Sequence, residues 1–342
     1  MSGLSRTAPG PREALFEDGA AARALPVCDH YCGVEARMRK SLELQAELGP
    51  VFDVTLDGED GAPVGGEHEH ALLMAELVNS PGNRFGRVGV RVPPVEHPAF
   101  EDMVATVVGR AGARVAYLMI PKPRGLADLQ RAVDAIDAAT RDASLSQPIP
   151  LQALVETHGA LREVQTLAAH PRIESLSFGL MDFVSAHRGA IPALAMSASG
   201  QFEHPLVLRA KLEISAACHA FGKTPSHCVV TEFKDEAALQ AAAATASRKL
   251  GYTRMWSIHP SQVRVIVDAF APSTAEVDLA IEILLAAQSA GWAPIRHRDT
   301  LHDRASYRYF WHVLQRAHRT SYVGGAQLPA EVCQAFFGDA VS

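Results

Sequence analysis

Two acidic residues close neighbouring hydrophobic runs of the sequence and carry the oxygen ligands that a divalent cation needs. Glu156 ends the run 149–156, and Asp182 follows the run 173–179. If both runs are adjacent parallel strands, they lie about 5 Å apart and the two carboxylates reach one ion. Such a pair suits Mg²⁺, or Mn²⁺ as the alternative, because these ions accept water and substrate oxygens as further ligands. The structural alternative is that each carboxylate caps the next helix or pairs with an arginine.

An arginine at the end of another run supplies the opposite charge. Arg91 lies near the end of the run 87–92, just before Pro93 and Pro94, which keep the chain extended as it leaves the run. A guanidinium in this place grips a substrate carboxylate or stabilises a developing enolate oxygen. An ion pair with the acidic residues after the preceding run is the structural alternative, and the two roles are compatible.

The sequence Asp-Gly-Glu-Asp-Gly over residues 57–61, here called the acidic turn, is a further source of catalytic groups. Its two glycines permit backbone conformations that are closed to other residues. One of Asp57, Glu59 and Asp60 is a candidate general base, or the three carboxylates orient Arg91 and a metal-bound water. A solvated turn without a catalytic role is the alternative.

Other polar positions give weaker indications. Lys122, between two prolines, contacts a substrate anion or is solvated. For His259 we favour a structural role, with the ring in the core and donating to a backbone carbonyl. Cys28 and Cys32 are close together, but no second Cys/His pair has the spacing of a four-ligand zinc site. Five cysteines in a chain of this length also argue against a disulfide framework.

Hydrophobic, β-branched runs alternate with amphipathic segments along the chain. The predicted strands are 51–57, 87–92, 114–121, 149–156, 173–179, 227–233 and 254–260, with an eighth near 24–31; the clearest predicted helices are 126–142, 159–170, 205–222 and 235–251. Most runs are too apolar for half-exposed antiparallel strands, so we interpret them as buried parallel strands. This pattern predicts an α/β protein, a (β/α)8 TIM barrel with a C-terminal helical extension, rather than an open doubly wound sheet.

Composition narrows the classes of partner. The 342 residues include 32 Lys+Arg and 38 Asp+Glu, a net charge of −6, and they contain no basic run that matches a line of phosphates. We therefore expect no nucleic acid partner. No apolar stretch reaches the roughly 18 residues of a membrane span, and the polar start lacks a signal-peptide core, so we expect no membrane partner and a cytoplasmic location.

The barrel count also divides the chain. We expect a flexible N-terminal segment over residues 1–23, a catalytic barrel over 24–295, and an extension over 296–342 that packs on the barrel or on a neighbouring subunit. The long step between the fifth and sixth full predicted strands contains a loop over 184–204. In a barrel, this loop lies on the catalytic face.

Six segments in order resemble the citrate lyase β-subunit-like branch of the HpcH/HpaI aldolase superfamily. They are FDVTLDGEDGA (52–62), VRVPP (90–94), LMIPKP (118–123), LVETHGAL (154–161), LSFGLMDF (176–183) and SIHPSQVRVIVDAFAPSTAEVDLA (257–280). Two regions depart from the family pattern. The first strand lacks the usual Arg-Ser, and the segment after the acidic turn has Glu67, His68, Glu69 and His70 where the family has positive charge.

The resemblance implies a divalent metal, usually Mg²⁺, and chemistry at a carbon-carbon bond beside a carboxylate or acyl-CoA carbonyl. It makes Glu156 and Asp182 metal ligands and Arg91 the contact for the substrate carbonyl or enolate. We therefore expect a metal-dependent carbon-carbon lyase that acts on a β-hydroxy acid or its acyl-CoA thioester, assembled as a homo-oligomer (trimer or hexamer). The alternatives are a class II aldolase that uses a free 2-keto acid and an aldehyde, and a non-catalytic barrel that binds a keto acid or acyl-CoA.

Overall fold

A computed structural model describes residues 9–16, 25–62, 64–321 and 327–338. The described chain forms two compact units, one over residues 25–270 and one from the described residues before 25 and after 270. Every residue for which we predict a catalytic, substrate or metal role lies in the first unit. None of the described helices is both long and apolar enough to cross a bilayer.

The unit 25–270 is a closed barrel of eight parallel strands in chain order, as predicted. The strands are β1 (Cys28–Cys32), β2 (Phe52–Asp57), β3 (Val88–Arg91), β4 (Leu118–Ile120), β5 (Leu151–Val155), β6 (Ile173–Phe178), β7 (Thr224–His227) and β8 (Arg254–Ser257). β1 closes the barrel on β8, with His30 opposite Ser257. Nearly all strand side chains are buried, as expected for strands covered by helices outside and by side chains inside.

In the unit 25–270, helices follow the strands on the outside of the barrel, and the second unit contains further helices. In chain order the α-helices of the described residues are α1 (Pro11–Leu15), α2 (Glu35–Leu48), α3 (Glu67–Asn79), α4 (Phe100–Ala111), α5 (Leu126–Asp142), α6 (His158–Arg162), α7 (Val164–Ala169), α8 (Leu180–Ser185), α9 (Pro205–Ala220), α10 (Glu236–Lys249), α11 (Pro260–Phe270), α12 (Thr274–Ser289), α13 (Arg304–Thr320) and α14 (Ala330–Phe337). Side chains cap several of them: Thr157 accepts from the Ala160 N–H at the start of α6, and Asp235 does the same for Ala238 in α10.

The prediction for the seventh strand was wrong in position. We placed it at 227–233, but β7 is Thr224–His227, and the apolar residues that follow it leave the sheet as a loop. The segment Thr-Pro-Ser-His has little β-propensity, so only its pairing with β6 and β8 shows that it is a strand. The predicted loop 184–204 includes the end of α8 and two short 3₁₀ turns, Ala193–Met196 and Gly200–Phe202.

The second unit is helical and has its own core. Trp292, Tyr307 and Trp311 are central to it, and Leu15 of α1 belongs to the same cluster. Strands β9 (Ile295–His297) and β10 (Thr300–His302) form an antiparallel hairpin. Helix α12, which we assigned to the barrel domain, has its contacts within this unit, so the boundary between units falls at 270/271 rather than 295/296. Most of the segment predicted to be flexible lies outside the described residues.

A buried ion network fills the lower part of the barrel. Arg254 on β8 is fully buried; its Nη1 lies 2.5 Å from Asp53 Oδ2 and its Nη2 2.9 Å from Asp29 Oδ2. Arg87 Nε donates to the other Asp53 oxygen at 2.6 Å. Two residues further along β1 and β8, Tyr31 and Trp256 stack and begin an apolar layer. The ion network is therefore the floor beneath the carboxyl ends of the strands.

The Arg254→Met variant tests this floor. Removing the guanidinium leaves two buried carboxylates without their shared cation, and breaking a buried ion pair in this way costs about 3 to 5 kcal/mol of unfolding free energy. The exposed pair between Arg264 and Glu47 is the control, because Arg264→Met costs about 1 kcal/mol or less. Urea denaturation followed by circular dichroism measures both, and equal losses contradict the assignment.

Candidate active site

A cavity of about 730 Å³ opens at the carboxyl ends of the barrel strands. Arg91, Glu156 and Asp182 line it together with two residues of the acidic turn, Asp57 and Asp60. The structure therefore brings together five of the side chains singled out from the sequence. Glu59 and Lys122 are not among the residues that line this cavity; they contact the lining residues from behind.

Glu156, directly after β5, is the most strongly perturbed acid at this face. Its side chain is buried, and Oε1 accepts a hydrogen bond from the Lys122 N–H at 2.8 Å. The Lys122 backbone has φ 50°, a left-handed conformation that non-glycine residues rarely adopt. Burial, and then the neighbouring Asp182 charge, raises the pKa of Glu156 to about 8.

The surroundings of the second Glu156 oxygen fit a bound cation. A Cβ on Gly179 would lie 2.0 Å from Glu156 Oε2, so this position admits only glycine if the carboxylate keeps its place. Asp182, in the first turn of α8, is partly exposed beside it. No group of three His, Cys, Asp or Glu among the described residues is arranged to hold a metal. Glu156 and Asp182 would hold such an ion as two carboxylate ligands, and its remaining ligands would be water and substrate, as is common for Mg²⁺.

Arg91 is fixed by the acidic turn. Its Nε and Nη2 donate to Asp57 Oδ1 at 2.7 Å and Oδ2 at 2.5 Å, and its Nη1 lies 3.0 Å from Glu59 Oε2. The N–H groups of Glu59 and Gly61 each donate to an Asp57 oxygen at 2.9 Å. The predicted ion pair with the acidic turn is confirmed, and it leaves part of the guanidinium facing the cavity.

Close backbone packing holds the acidic turn against the end of β1. A Cβ on Gly33 would meet the Gly61 carbonyl oxygen at 1.8 Å, so the two backbones touch directly. Lys122 Nζ joins the turn from the other side, 2.5 Å from Glu59 Oε1, 2.9 Å from Asp60 Oδ2 and 3.6 Å from Asp182 Oδ1. Lys122 thus links the acidic turn to the Glu156 and Asp182 pair instead of being solvated.

The prediction for His259 was wrong. The ring is exposed, lines the cavity, and stacks on Phe233 with ring centroids 5.0 Å apart. The buried histidine of this region is His30, whose Nδ1 lies 2.9 Å from Ser257 Oγ. Burial, and then His259, lowers the pKa of His30 to about 4. Cys28 and Cys32 are buried on β1 and, like the other three cysteines, are free thiols.

Two cations at the mouth of the cavity were not identified from the sequence. Arg37 and Lys40 lie on the exposed part of α2 and line the cavity. Lys40 pairs with Glu43 at 3.2 Å, whereas Arg37 has no acidic partner among the residues that the structure describes. The sequence of α2 contains many charged residues, so their types alone do not single out Arg37 and Lys40. Only the position of α2 in the fold shows which of its charged side chains reach the cavity.

Family comparison agrees with this arrangement. The family model described as HpcH/HpaI aldolase/citrate lyase matches residues 52–260, which contain all the acidic and basic groups singled out from the sequence. The chain belongs to this family. The resemblance proposed from the six segments is therefore confirmed.

Individual members of the HpcH/HpaI family are similar over most of the chain. A crystal structure described as a citrate lyase from Burkholderia xenovorans is 55% identical, covers 96% of this chain and 99% of its own, and superposes with a TM-score of 0.82. An L-malyl-CoA/beta-methylmalyl-CoA lyase from Cereibacter sphaeroides is 28% identical over 78% of this chain and 88% of its own length. The protein CitE from Mycobacterium tuberculosis, solved with magnesium, acetoacetate and coenzyme A, shares the fold at 21% identity, with 86% of this chain and 99% of its own covered and a TM-score of 0.64.

The raised pKa of Glu156 predicts how the metal-free protein responds to pH. The folded state binds a proton at Glu156 up to about pH 8, whereas the unfolded state releases it near the ordinary glutamate pKa of about 4.3. Between these values the folded state holds more protons, so this group makes unfolding easier as the pH rises. With EDTA present, the stability of the wild type should therefore fall more steeply from pH 5 to pH 8 than that of Glu156→Gln. If the free energy of unfolding changes with pH equally in the wild type and in Glu156→Gln across this range, the assignment is wrong.

Proposed function

We propose that this member of the HpcH/HpaI family is a Mg²⁺-dependent carbon-carbon lyase. Its substrate is a β-hydroxyacyl-CoA thioester, in which it cleaves or forms a carbon-carbon bond. The observation that carries the proposal is the pair of carboxylates, Glu156 and Asp182, that share one cavity with the acid-bound guanidinium of Arg91. The names of the similar lyases support the class of reaction. Mn²⁺ is the alternative ion for the same oxygen ligands.

Arg91 is the group that stabilises the negative charge developing on the substrate. Arginine has five N–H bonds in a fixed fork, and Asp57 and Glu59 take up at most three of them. The rest are available to an oxygen in the cavity, where they stabilise an enolate as the carbon-carbon bond breaks. Asp57 accepts two hydrogen bonds at each oxygen, so we assign it the positioning of Arg91 rather than proton transfer.

Glu156 and Asp182 hold the cation in this proposal. When bound, the ion supplies Lewis-acid polarisation of the substrate's carboxylate and carbonyl oxygens. The Lys122 N–H holds Glu156 in place, and Lys122 Nζ balances the charge of the acidic turn. Lys122 thus positions both Glu156 and the acidic turn. A direct contact between its amine and the substrate requires the amine to move away from Glu59.

A proton acceptor for the substrate hydroxyl is also required. Among the three acidic-turn carboxylates, Asp60 is the one that both lines the cavity and is largely exposed. Burial raises its pKa, but the hydrogen bond and the charge of Lys122, together with the charge of Arg91, outweigh burial and lower the pKa of Asp60, which keeps the group ionised. We assign Asp60 as the general base, with Glu59 tying Arg91 to Lys122 behind the cavity wall.

The exposed cations on α2 favour a thioester of coenzyme A over a free acid. Arg37 and Lys40 lie at the mouth of the cavity, where the phosphate groups of a long thiol ester meet side chains that carry positive charge. The region of Glu67 and His68, in contrast, offers no such charge. We further propose a cytoplasmic homo-oligomer, trimeric or hexameric.

Replacing either cation-binding carboxylate tests the reaction. Glu156→Gln and Asp182→Asn should each reduce kcat for cleavage of L-malyl-CoA to acetyl-CoA and glyoxylate by about 100- to 1,000-fold, because the electrostatic stabilisation of the enolate is lost. Glu101→Gln, which changes an exposed carboxylate on α4, is the control. Acetyl-CoA is measured by mass spectrometry, and Mg²⁺ binding by calorimetry.

Unchanged turnover in both variants overturns the metal assignment. Formation of free CoA without glyoxylate would instead indicate thioester hydrolysis, and products from pyruvate or oxaloacetate with aldehydes would indicate a class II aldolase. Tight binding of the thioester without any product would indicate a non-catalytic barrel.

The role of α2 has a matched control in the same helix. Arg37→Ala should raise KM for the CoA thioester about 10-fold, the loss expected for a hydrogen bond to a charged group, with little change in kcat. Arg39→Ala removes a cation that pairs with Glu35 and Glu76 on the outer side and should leave KM unchanged. Steady-state kinetics measures both variants, and an equal KM for the two excludes Arg37 as a phosphate contact.

A further inference from the structure

A lysine without an acidic partner lies inside the barrel unit, beside the cavity but outside the site proposed above. Lys211 on α9 is fully buried. Its Nζ lies 2.6 Å from Gln201 Oε1 and 2.9 Å from His227 Nε2, and no carboxylate in the described part of the chain pairs with it. The Phe202 ring covers the amine, with its centroid 4.0 Å from Nζ. A buried amine with only neutral partners has a strong reason to lose its proton.

The hydrogen bonds around Lys211 define which atoms donate. His227 Nδ1 faces the Cys228 carbonyl oxygen at 3.1 Å, and because a carbonyl only accepts, Nδ1 carries the ring hydrogen. Nε2 of a neutral ring then has a lone pair and accepts from Lys211. Gln201 Oε1 accepts a second hydrogen from the same amine. A neutral amine has both hydrogens engaged in this way, and its lone pair is left for another proton.

The proton donor next to this amine is a thiol. Cys228 Sγ donates to Gln201 Oε1 at 3.0 Å, so the thiol and the amine meet on one oxygen atom. Cys228 also lines the 730 Å³ cavity, whereas Lys211 does not. Burial lowers the pKa of Lys211 to about 8, and direct interaction with Cys228 opposes the shift. Near neutral pH a fraction of the amine is thus ready to accept the thiol proton.

We propose that Cys228 is a nucleophilic thiol, served by Lys211 as its base, that the cavity presents to small α,β-unsaturated carbonyl compounds. The sulfur forms a bond to the β-carbon of the electrophile, and the double bond shifts its electron pair to the α-carbon. The thiol proton passes to Lys211 and from there to the α-carbon. The product is a stable thioether on the cavity wall, formed without any oxidant or leaving group.

The chain contains a matched control for this proposal. Cys32 lines the same cavity and is also buried, but its sulfur lies 3.9 Å from the Thr55 carbonyl oxygen and beside the Ser41 side chain. No amine of the described residues accompanies it, and burial raises the pKa of Cys32 to about 12. Burial also raises the pKa of Cys228, but there the charge and the hydrogen bond of Lys211 oppose the shift. A difference in reactivity between the two thiols therefore tests the role of the lysine, and the Lys211→Met variant separates that role from access to the cavity.

Acrylamide is the probe, because it is small, uncharged and α,β-unsaturated. The full-length native protein is incubated with acrylamide at pH 8, digested, and mapped by mass spectrometry over time. We expect Cys228 to be labelled at least 10-fold faster than Cys32. In Lys211→Met, which replaces the amine by an apolar chain of similar length, labelling of Cys228 should fall at least 10-fold while that of Cys32 is unchanged.

A second measurement keeps the test decisive if the variant does not fold. In the wild type, the labelling rate of Cys228 should rise up to about pH 8, where Lys211 loses its proton, and then level off, whereas the rate of Cys32 should keep rising towards its own pKa of about 12. The other titratable groups that face the pair do not change charge there: burial holds the pKa of His227 well below its usual range and that of Tyr252 well above. Equal labelling of the two thiols, or a Cys228 rate that rises across this range as that of Cys32 does, overturns the proposal. Neither measurement needs turnover, so the result is independent of the lyase assay.

Discussion

The bidentate ion pair between Arg91 and Asp57 is the interaction on which the arrangement of the cavity depends. Both oxygens of Asp57 are held by backbone N–H groups of the acidic turn as well as by the guanidinium. The acidic turn also packs against the backbone just after β1, where only glycine fits at residue 33. Since every partner is fixed, the guanidinium is preorganised, and little reorganisation is needed when charge develops on a substrate oxygen.

Charge balance connects this ion pair to the opposite side of the cavity. Lys122 bonds Glu59 and Asp60 through its amine and Glu156 through its backbone N–H. The remaining imbalance is at Glu156 and Asp182, two carboxylates with no guanidinium of their own. A divalent ion at this place, as proposed above, would offset the negative charge, and the raised pKa of Glu156 means that a proton offsets it in the metal-free protein up to about pH 8.

The barrel and most of the site residues follow from the sequence because both depend on local pattern. Buried parallel strands are continuous apolar runs, which a sequence shows directly. In a closed barrel the carboxyl ends of the strands converge, so the placement of Arg91, Glu156 and Asp182 at or just after strand ends is enough to predict that they lie close together. β7 was predicted at the wrong position because Thr-Pro-Ser-His becomes a strand only through its neighbours. Arg37 and the exposed ring of His259 were missed for the same reason, since the side of an element that faces a cavity is set by tertiary packing.

The barrel accommodates buried ionisable side chains in two different ways. At the floor, Arg254 has two aspartates, so both signs are buried together and each buried charge has a partner. At Glu156 and at Lys211 the counter-charge is missing, and burial moves the pKa of the acid up and that of the amine down, each to about 8. A group with a pKa near the working pH exchanges protons or binds a ligand at low free-energy cost. In the part of the barrel that the structure describes, Glu156 and Lys211 are thus two buried groups whose missing counter-charge fits the roles proposed for them.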